Sequence, residues 1–543
     1  MDAKILTVHW HDESAPVYSL SYQPNASKQN SERLVSGGGD NNIRIWKLDH
    51  TEDGVKLEYL STLAKHSQAV NVVRFDPTGE ILATAGDDGM VLLWTKADSI
   101  VKEFGQDAED LEDIKESWTL FKSFRSSSSE VYDLCWSPDS RFIITGSTDN
   151  IVRIYDVKLG TQVNSIAEHN HFVQGVAFDP RGEFIVSQSA DRSIHVSTVK
   201  YDLDSKISMN TSSYYKITRA EIPTRVKGEE GYKLDFKHPK TMMLYHTENL
   251  ESFFRRLSFS PDGLFLFTPS GVYKPNSTSN NSSAAVSITE ETSSQTSNKE
   301  ETINTVYIYS RHGLNKPPVA QIPNLKKPAI AISFSPIYYA LPNNNKSVLN
   351  TPYKLIYAVL TQDSVIIFDT ASMKPIGSVS GIHYRTLTDL AWNQDGLSLI
   401  ISSADGFCSA IKFKRGVFGE ALDGNYETLM KKGKEENSLF SSEKLKESTE
   451  VAEVSKKREI PEVFNLISGA SVRKKPKNKP TTPSAVDAAA GAVQEAKEEI
   501  KPSTVGPIPA DNGNETVQGK AFENGKPSIE VVTLSDDDDD IVM

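Results

Sequence analysis

The chain of 543 residues is 38% hydrophobic and 24% charged, a composition typical of a folded protein with a large core. Its net charge of −13 argues against strong direct binding to DNA, because neutralising phosphates requires a surplus of Lys and Arg. Cys135 and Cys408 lie too far apart in sequence to suggest a disulfide framework or a zinc site, and no apolar run is long enough to predict a membrane span.

One pattern recurs along residues 1–415. An apolar strand leads into a turn such as Asp-Pro-x-Gly, a second strand follows, and a turn containing Asp precedes a third strand that ends in an aromatic residue or its replacement; AVNVVRFDPTGEILATAGDDGMVLLW is a clear copy. Uninterrupted copies repeat about every 42 to 48 residues, which is close to the period of WD repeats. The seven copies end near residues 46, 94, 155, 197, 309, 368 and 411.

The apolar residues within these strands predict the fold. In segments such as VNVVRF they are too dense for a sheet with one wet face, so both faces must be covered by neighbouring sheets. A single unit cannot cover itself, and we therefore predict an all-β fold, a seven-bladed WD40 β-propeller over residues 1–415. Residues 4–10 are expected to supply the outer strand of the seventh blade and close the ring, because unpaired edge strands invite aggregation.

An Asp lies six residues before the last position of four copies, at Asp40, Asp88, Asp149 and Asp191. These residues resemble those of the WD40 family. The resemblance implies that the Asp bonds to a His preceding the blade and braces the tight turn, with His66 and His169 in that place and Trp94 as a terminal aromatic. We expect no metal at His169, because the His169-x-His171 pair has no carboxylate or cysteine at ligand spacing.

Several segments depart from the repeat. Residues 204–250 form a long connection before the fifth blade, and residues 274–304 are rich in Ser, Thr and Asn, which predicts a mobile loop. The fifth copy has Thr268-Pro269-Ser270-Gly271 in place of the Asp turn, so local irregularity is expected there. From residue 420 to 543 the repeat stops, and the Ala, Glu, Lys, Pro and Ser content predicts a disordered tail carrying short linear motifs.

The first tail motif combines a basic cluster with an apolar anchor, namely Lys456, Lys457, Arg458, Ile460 and Pro461. It resembles the peptide by which WD subunits of chromatin complexes bind the histone chaperone anti-silencing function 1, although Glu459 intervenes and Pro461 directly follows Ile460. The bland alternative is a solvated charge run. A second candidate for the same role is the basic run of residues 473–480 with the Thr-Thr-Pro that follows it.

Two further motifs lie in the tail. A nuclear import signal is predicted from Arg473, Lys474, Lys475, Lys477 and Lys479. A β-branched segment followed by five Asp residues resembles a SUMO-interacting motif, with Ile529, Val531, Val532 and Leu534 as its apolar positions. Such a segment can add a strand to a partner's sheet; otherwise it is a solubilising acidic terminus.

The order of HSQAVNVVRFDPTGEILATAGDDGMVLLW, ENLESFFRRLSFSPDGLFLFTPSG and IHYRTLTDLAWNQDG resembles the middle-subunit family of chromatin assembly factor 1. The resemblance implies a nuclear, non-catalytic scaffold of a three-subunit histone chaperone that deposits H3–H4 on newly replicated DNA. Its implied partners are the large and small subunits, histones H3–H4, anti-silencing function 1 and, indirectly, the replication clamp. In Phe253-Phe254-Arg255-Arg256 we expect packed Phe and exposed Arg side chains, with a partner contact as the alternative.

No phosphate-binding loop, nucleophile elbow or H-E-x-x-H motif accompanies the repeats, so no enzyme activity, cofactor or metal is expected. Two rival functions stay open. One is the WD subunit of a replication-independent histone chaperone complex, which normally carries a second large domain. The other is the substrate receptor of a ubiquitin ligase, which requires ligase-docking segments.

Overall fold

The computed structural model describes residues 2–24, 32–51, 54–101, 113–201, 209–228, 231–274, 302–342, 347–424, 428–429 and 530–533. Nearly all regular structure within them is β-strand, and two short 3-10 turns lie at Asp12–Ser14 and Arg311–Gly313. No helix in the described part of the chain has the length and apolarity needed to cross a bilayer.

The strands form seven antiparallel blades and one separate hairpin. The chain begins with β1 (Asp2–Leu6). Blade one contains β2 (Val17–Tyr22), β3 (Glu32–Gly38), β4 (Ile43–Thr51) and β5 (Gly54–Leu63); blade two contains β6 (Val70–Phe75), β7 (Ile81–Gly86), β8 (Met90–Lys96) and β9 (Trp118–Arg125); blade three contains β10 (Val131–Trp136), β11 (Phe142–Ser147), β12 (Val152–Asp156) and β13 (Thr161–Ile166).

The second half of the ring follows the same order. Blade four contains β14 (Val173–Phe178), β15 (Phe184–Ser189), β16 (Ser193–Tyr201) and β17 (Met209–Ile217), and the hairpin β18 (Arg219–Gly228) and β19 (Gly231–Met243) comes next. Blade five contains β20 (Ser258–Phe259), β21 (Phe265–Tyr273), β22 (Ile303–Ser310) and β23 (Ala320–Leu325); blade six contains β24 (Ala329–Tyr339), β25 (Lys354–Thr361), β26 (Ser364–Asp369), β27 (Pro375–Ser380) and β31 (Glu530–Thr533); blade seven contains β28 (Leu387–Trp392), β29 (Ser398–Ser403), β30 (Cys408–Lys412) and β1.

The core lies between adjacent blades, as the dense apolar pattern predicts. Val35 and Ile45 of blade one pack with Val73, Leu92 and Trp94 of blade two in one cluster of buried side chains. The inner strands contact one another in sequence around the ring, and β28 contacts β2. The prediction of an all-β, seven-bladed propeller is confirmed. The residues predicted to end each copy lie in the third strand of a blade. A fourth strand lies beside it in each blade and completes its sheet.

The N-terminal strand closes the ring. It pairs antiparallel with β30, from Asp2 opposite Lys412 to Leu6 opposite Cys408. The strand is shorter than the expected 4–10, and Trp10 is instead fully buried against Trp46, with ring centroids 4.9 Å apart. Closure therefore joins the first and last blades through both a hydrogen-bonded ladder and an aromatic contact.

The departures from the repeat have local causes. The predicted connection at 204–250 begins too early, because Met209–Ile217 form β17 of blade four; the rest of it contains the β18–β19 hairpin. Blade five has a two-residue inner strand and a register shift between Thr268 and Gly271. Of the predicted loop 274–304, residues 275–301 lie outside the described residues, and Ile303 already begins β22. The boundary at 415 is too early, because Phe418 and Leu429 are buried, Leu429 against Tyr353.

Candidate interaction surface

A four-residue hydrogen-bonded chain fixes the turns of blade two. Trp94 Nε1 donates to the Thr84 hydroxyl at 3.0 Å, the hydroxyl is 2.8 Å from His66 Nε2, and His66 Nδ1 donates to Asp88 at 2.8 Å. Asp88 also accepts from the Ser67 and Met90 amides, so one carboxylate holds two loops. Burial alone would raise the pKa of Asp88, but the hydrogen bond and the charge of His66 lower it below its usual range.

The His–Asp pair of this hydrogen-bonded chain recurs in three other blades. In blade four, His169 Nδ1 lies 3.2 Å from Asp191 and its Nε2 is 2.8 Å from the Ser187 hydroxyl. Blade four has no Trp in the position that Trp94 occupies in blade two. Sequence reasoning missed two His braces: His11 donates to Asp40 at 2.7 Å and His383 to Asp405 at 3.0 Å. The 22-residue spacing seen at His66–Asp88 and His169–Asp191 would have found His383.

Asp149 occupies the corresponding turn of blade three without a His. It accepts hydrogen bonds from Ser127 at 2.8 Å and from Arg153 at 2.7 Å, and the Ser147 hydroxyl also donates to it. Burial alone would raise the pKa of Asp149, but the bonds from Arg153 and the two serines lower it to about 2. The carboxylate therefore keeps its bracing role while its partners are replaced.

The Phe-Phe-Arg-Arg segment before β20 agrees with the expectation at Phe254 and departs from it at the other three positions. Phe253 is 59% exposed, whereas Phe254, Arg255 and Arg256 are buried. The interpretation with exposed Arg side chains is therefore wrong. The reason is that the two guanidinium groups donate to backbone carbonyl oxygens inside the ring, which compensates for their loss of water.

Arg256 reaches from blade five across the axis of the ring. Its guanidinium donates to the carbonyl oxygens of Tyr18 at 3.2 Å, Asn71 at 2.8 Å and Thr388 at 2.9 Å, in blades one, two and seven. It also lies 3.3 Å from the Asp389 carboxylate. Burial lowers the pKa of Arg256, while the attraction of Asp389 opposes that shift. One side chain thus links blades that are far apart in sequence.

Arg255 makes the matching link to blade four. Its amide donates to the Gln174 carbonyl oxygen at 2.9 Å. Its guanidinium donates to the backbone carbonyl oxygens of His246 at 2.8 Å and Thr247 at 2.6 Å. A Cβ on Gly175 would lie 2.0 Å from the Arg255 carbonyl oxygen, so only glycine permits this close approach. Phe254, Arg255 and Arg256, which we call the fastening segment, therefore connect the blades from inside the ring.

The axial cavity, of about 520 Å³, does not present reactive groups. The Arg256 and Arg74 cations lie beside the Asp389 carboxylate, at 3.3 and 2.9 Å, and neutralise it. Burial raises the pKa of the Cys135 thiol to about 11, so it is protonated and a poor nucleophile at neutral pH. We find no arrangement of a nucleophile with a general base among the residues lining this cavity.

The His169, Asp191 and His195 cluster has donor atoms within 4.8 Å of one another, which is the spacing of a metal site. Both ring nitrogens of His169 are already bonded, to Asp191 and to Ser187. The His169 and His195 rings stack with centroids 3.6 Å apart and an 8° interplanar angle, so their lone pairs lie in two nearly parallel planes and do not converge on one point. Burial, then the neighbouring His169, lower the pKa of His195 to about 2. The cluster acts as packing and bracing.

Most tail motifs lie outside the described residues, namely the candidate chaperone peptide of residues 456–461 and the basic run of residues 473–480. The SUMO-interacting-like segment is described in part. Its residues Glu530–Thr533 form β31, which pairs antiparallel with the outer edge of blade six, Val531 opposite Val379. The segment predicted to add a strand to a partner's sheet therefore adds one to its own blade.

The chain matches known proteins over most of its length. A family model described as the CAF1B/HIR1 beta-propeller domain matches residues 1–418. The CAF1B protein of Saccharomyces cerevisiae, a subunit of chromatin assembly factor 1, is 41% identical over 440 residues, covering 76% of this chain and 86% of the relative. The mouse protein of the same name is 37% identical over 435 residues, covering 77% and 68%.

A more distant similarity joins the chain to a second group within the same family. Protein HIR1 of Kluyveromyces lactis is 25% identical over 469 residues. The alignment covers 81% of this chain but 47% of that protein. Both groups of relatives match the chain over its propeller. The alignments cover 86% of the yeast CAF1B protein but 47% of HIR1.

Proposed function

Because the chain belongs to the CAF1B/HIR1 β-propeller family, we propose that it is the non-catalytic WD-repeat subunit of a chromatin assembly factor 1 histone chaperone and supports replication-coupled deposition of histones H3–H4. The observation that carries the proposal is 41% identity to the yeast CAF1B protein of chromatin assembly factor 1, of which the chain covers 86%. The protein acts by binding, since the rigid ring presents loops and rims while its axial cavity holds neutralised charges.

The partners of this role are the large and small subunits of the complex and histones H3–H4, with the replication clamp engaged indirectly. Anti-silencing function 1 delivers histones by binding the peptide at Lys456, Lys457, Arg458, Ile460 and Pro461. SUMO binds the segment around residues 529–534 once that segment has separated from the outer strand of blade six. The protein works in the nucleus, and the basic run of residues 473–479 directs its import.

A replication-independent histone chaperone is the second candidate function. The 25% identity to HIR1 supports it, because the same family model covers both groups. The chain accounts for 47% of that relative, against 86% of the yeast CAF1B protein, and this difference favours the first proposal.

Affinity purification of the tagged chain from S-phase cells, followed by mass spectrometry, tests the proposal. We expect the large and small chaperone subunits together with H3 and H4. Recovery of the partners of a replication-independent complex would support the second candidate. Recovery of ubiquitin-ligase components without histones would refute both.

A further inference from the structure

Aromatic side chains line part of one mouth of the axial channel, at the end where the inner strands of the blades begin. We call the aromatic collar the set of Tyr18, Tyr132, Phe172, Phe253 and Phe254. The ring of Tyr132 lies 6.4 Å from Phe172, 6.0 Å from Phe253 and 6.4 Å from Phe254, centroid to centroid. Tyr18 approaches Phe254 at 6.2 Å from the blade-one side. The collar therefore spans blades one, three, four and five.

The outer members of the collar are open to solvent. Phe253 is 59% exposed and Phe172 is 40% exposed, while Phe254 lies buried beneath them. Isolated exposed apolar side chains are ordinary on protein surfaces. Here the exposed rings join a continuous aromatic cluster on a rigid rim, and that arrangement is typical of a binding surface.

The collar already holds one cation from its inner side. The guanidinium carbon of Arg256 lies 3.9 Å from the centroid of the Phe254 ring. Aromatic faces attract cations through their quadrupole, most strongly where water is excluded. Phe253 and Phe172 offer the same chemistry on the outer side, where an incoming side chain could reach them.

Carboxylates flank the collar. Burial, and after it the nearby charges of Glu130 and Asp87, raise the pKa of Tyr132 to about 12. Glu130 is exposed and Asp87 is half-buried. On the blade-four side, Glu248 lies 3.3 Å from His171, whose ring is 4.4 Å from Phe172. Acids beside exposed rings suit a positively charged ligand and disfavour phosphate groups.

We propose that the aromatic collar, with Glu130, Asp87 and Glu248, is a docking site for an extended basic peptide of a partner, in which an Arg or Lys side chain lies against Phe253 and Phe172. The inference rests on the proposed function insofar as the flexible basic segments of histones H3–H4 belong to this chemical class. Arginine fits best, because its planar guanidinium stacks on rings and pairs with carboxylates at the same time. The ligand is bound by the rim, with the channel closed beneath it by Phe254 and Arg256.

The test is a fluorescence-anisotropy titration of the full chain with a labelled twelve-residue peptide of alternating Arg and Ser. Phe172→Ala combined with Phe253→Ala should weaken binding about tenfold, the sum of two exposed cation–π contacts. Glu130→Gln should weaken it about threefold at low salt. Tyr384→Ala is the matched control, because Tyr384 is 80% exposed and belongs to none of the described ring contacts. It should leave binding unchanged.

Unchanged affinity in the double variant, with an unchanged melting temperature, would overturn the proposal. Equal loss in Tyr384→Ala would do the same, because the binding would then be unspecific. Tighter binding after Lys456, Lys457 and Arg458 are changed to Glu would assign the collar to the chain's own tail rather than to a partner. If the purified complex contains H3–H4 but the collar variants bind the peptide as tightly as the wild-type chain, this inference alone is refuted. Collar-dependent peptide binding without histone recovery would refute the proposed function alone.

Discussion

Replacing Arg256 with Met retains a long unbranched stem and removes the guanidinium. Three carbonyl oxygens, the buried ones of Asn71 and Thr388 and the partly buried one of Tyr18, lose a donor at 2.8–3.2 Å. Each loss would cost about 1–3 kcal/mol separately, but such costs are not additive. Arg74 stays 2.9 Å from Asp389 and keeps that carboxylate paired. We therefore expect a net destabilisation of about 4 kcal/mol, within the range for breaking a buried ion pair.

The assay is differential scanning calorimetry of the full chain at pH 7. With an unfolding entropy of about 2 cal/mol/K per residue over the matched residues 1–418, a loss of about 4 kcal/mol lowers the melting temperature by about 5 °C. Lys47→Met is the control, since the Lys47 side chain is 31% exposed beside Asp49 and Glu58, which are themselves 54% and 39% exposed, and its loss should cost below about 1 kcal/mol. A shift below about 1 °C for Arg256→Met, or equal shifts for both variants, would refute the role of Arg256 in joining the blades.

Four further outcomes are expected. Asp88→Ala leaves the buried imidazole of the second blade without its acceptor and should cost about 1–3 kcal/mol in the same calorimetry, with no loss at all contradicting the brace. The pKa of Asp149 is lowered to about 2, so its stabilising contribution is full above the ordinary carboxyl range and is lost as the pH falls from about 4 to 2; Asp149→Asn should flatten the stability curve there, and an unchanged slope would refute this. Ile460→Ala with Arg458→Glu should weaken binding to anti-silencing function 1 at least about tenfold in titration calorimetry without releasing the large subunit, and equal affinity would retire that peptide. Because residues 530–533 already pair with β27, a peptide of residues 525–543 should bind SUMO more tightly than the intact chain, and equal affinities would show that the pairing does not compete.

The fold was predictable because its determinants repeat. Each copy carries the same alternation of strands and turns, so an uncertain assignment in one copy can be checked against the others. The N-terminal strand could pair only with the free edge of blade seven. The brace of blade one was harder to see, because His11 and Asp40 are 29 residues apart instead of 22. Much of the difference lies between the first two strands, which residues 23–31 separate in blade one and residues 76–80 separate in blade two.

The fastening segment could not be predicted in the same way. Arg256 bonds to backbone atoms that are 238, 185 and 132 positions away in sequence, at Tyr18, Asn71 and Thr388. Carbonyl oxygens are present at every residue, so no sequence pattern marks these three as acceptors. The aromatic collar has the same origin, because Phe253 and Phe172 become neighbours of Tyr132 only when the ring has closed.

Histone deposition in a replicating extract tests the central claim most directly. Removing this chain and its complex should abolish the assembly of H3–H4 on newly replicated DNA while leaving assembly on unreplicated plasmid intact, and purified complex containing the wild-type chain should restore it. Full deposition on replicated DNA after removal, or a loss confined to unreplicated plasmid, would contradict the proposed function.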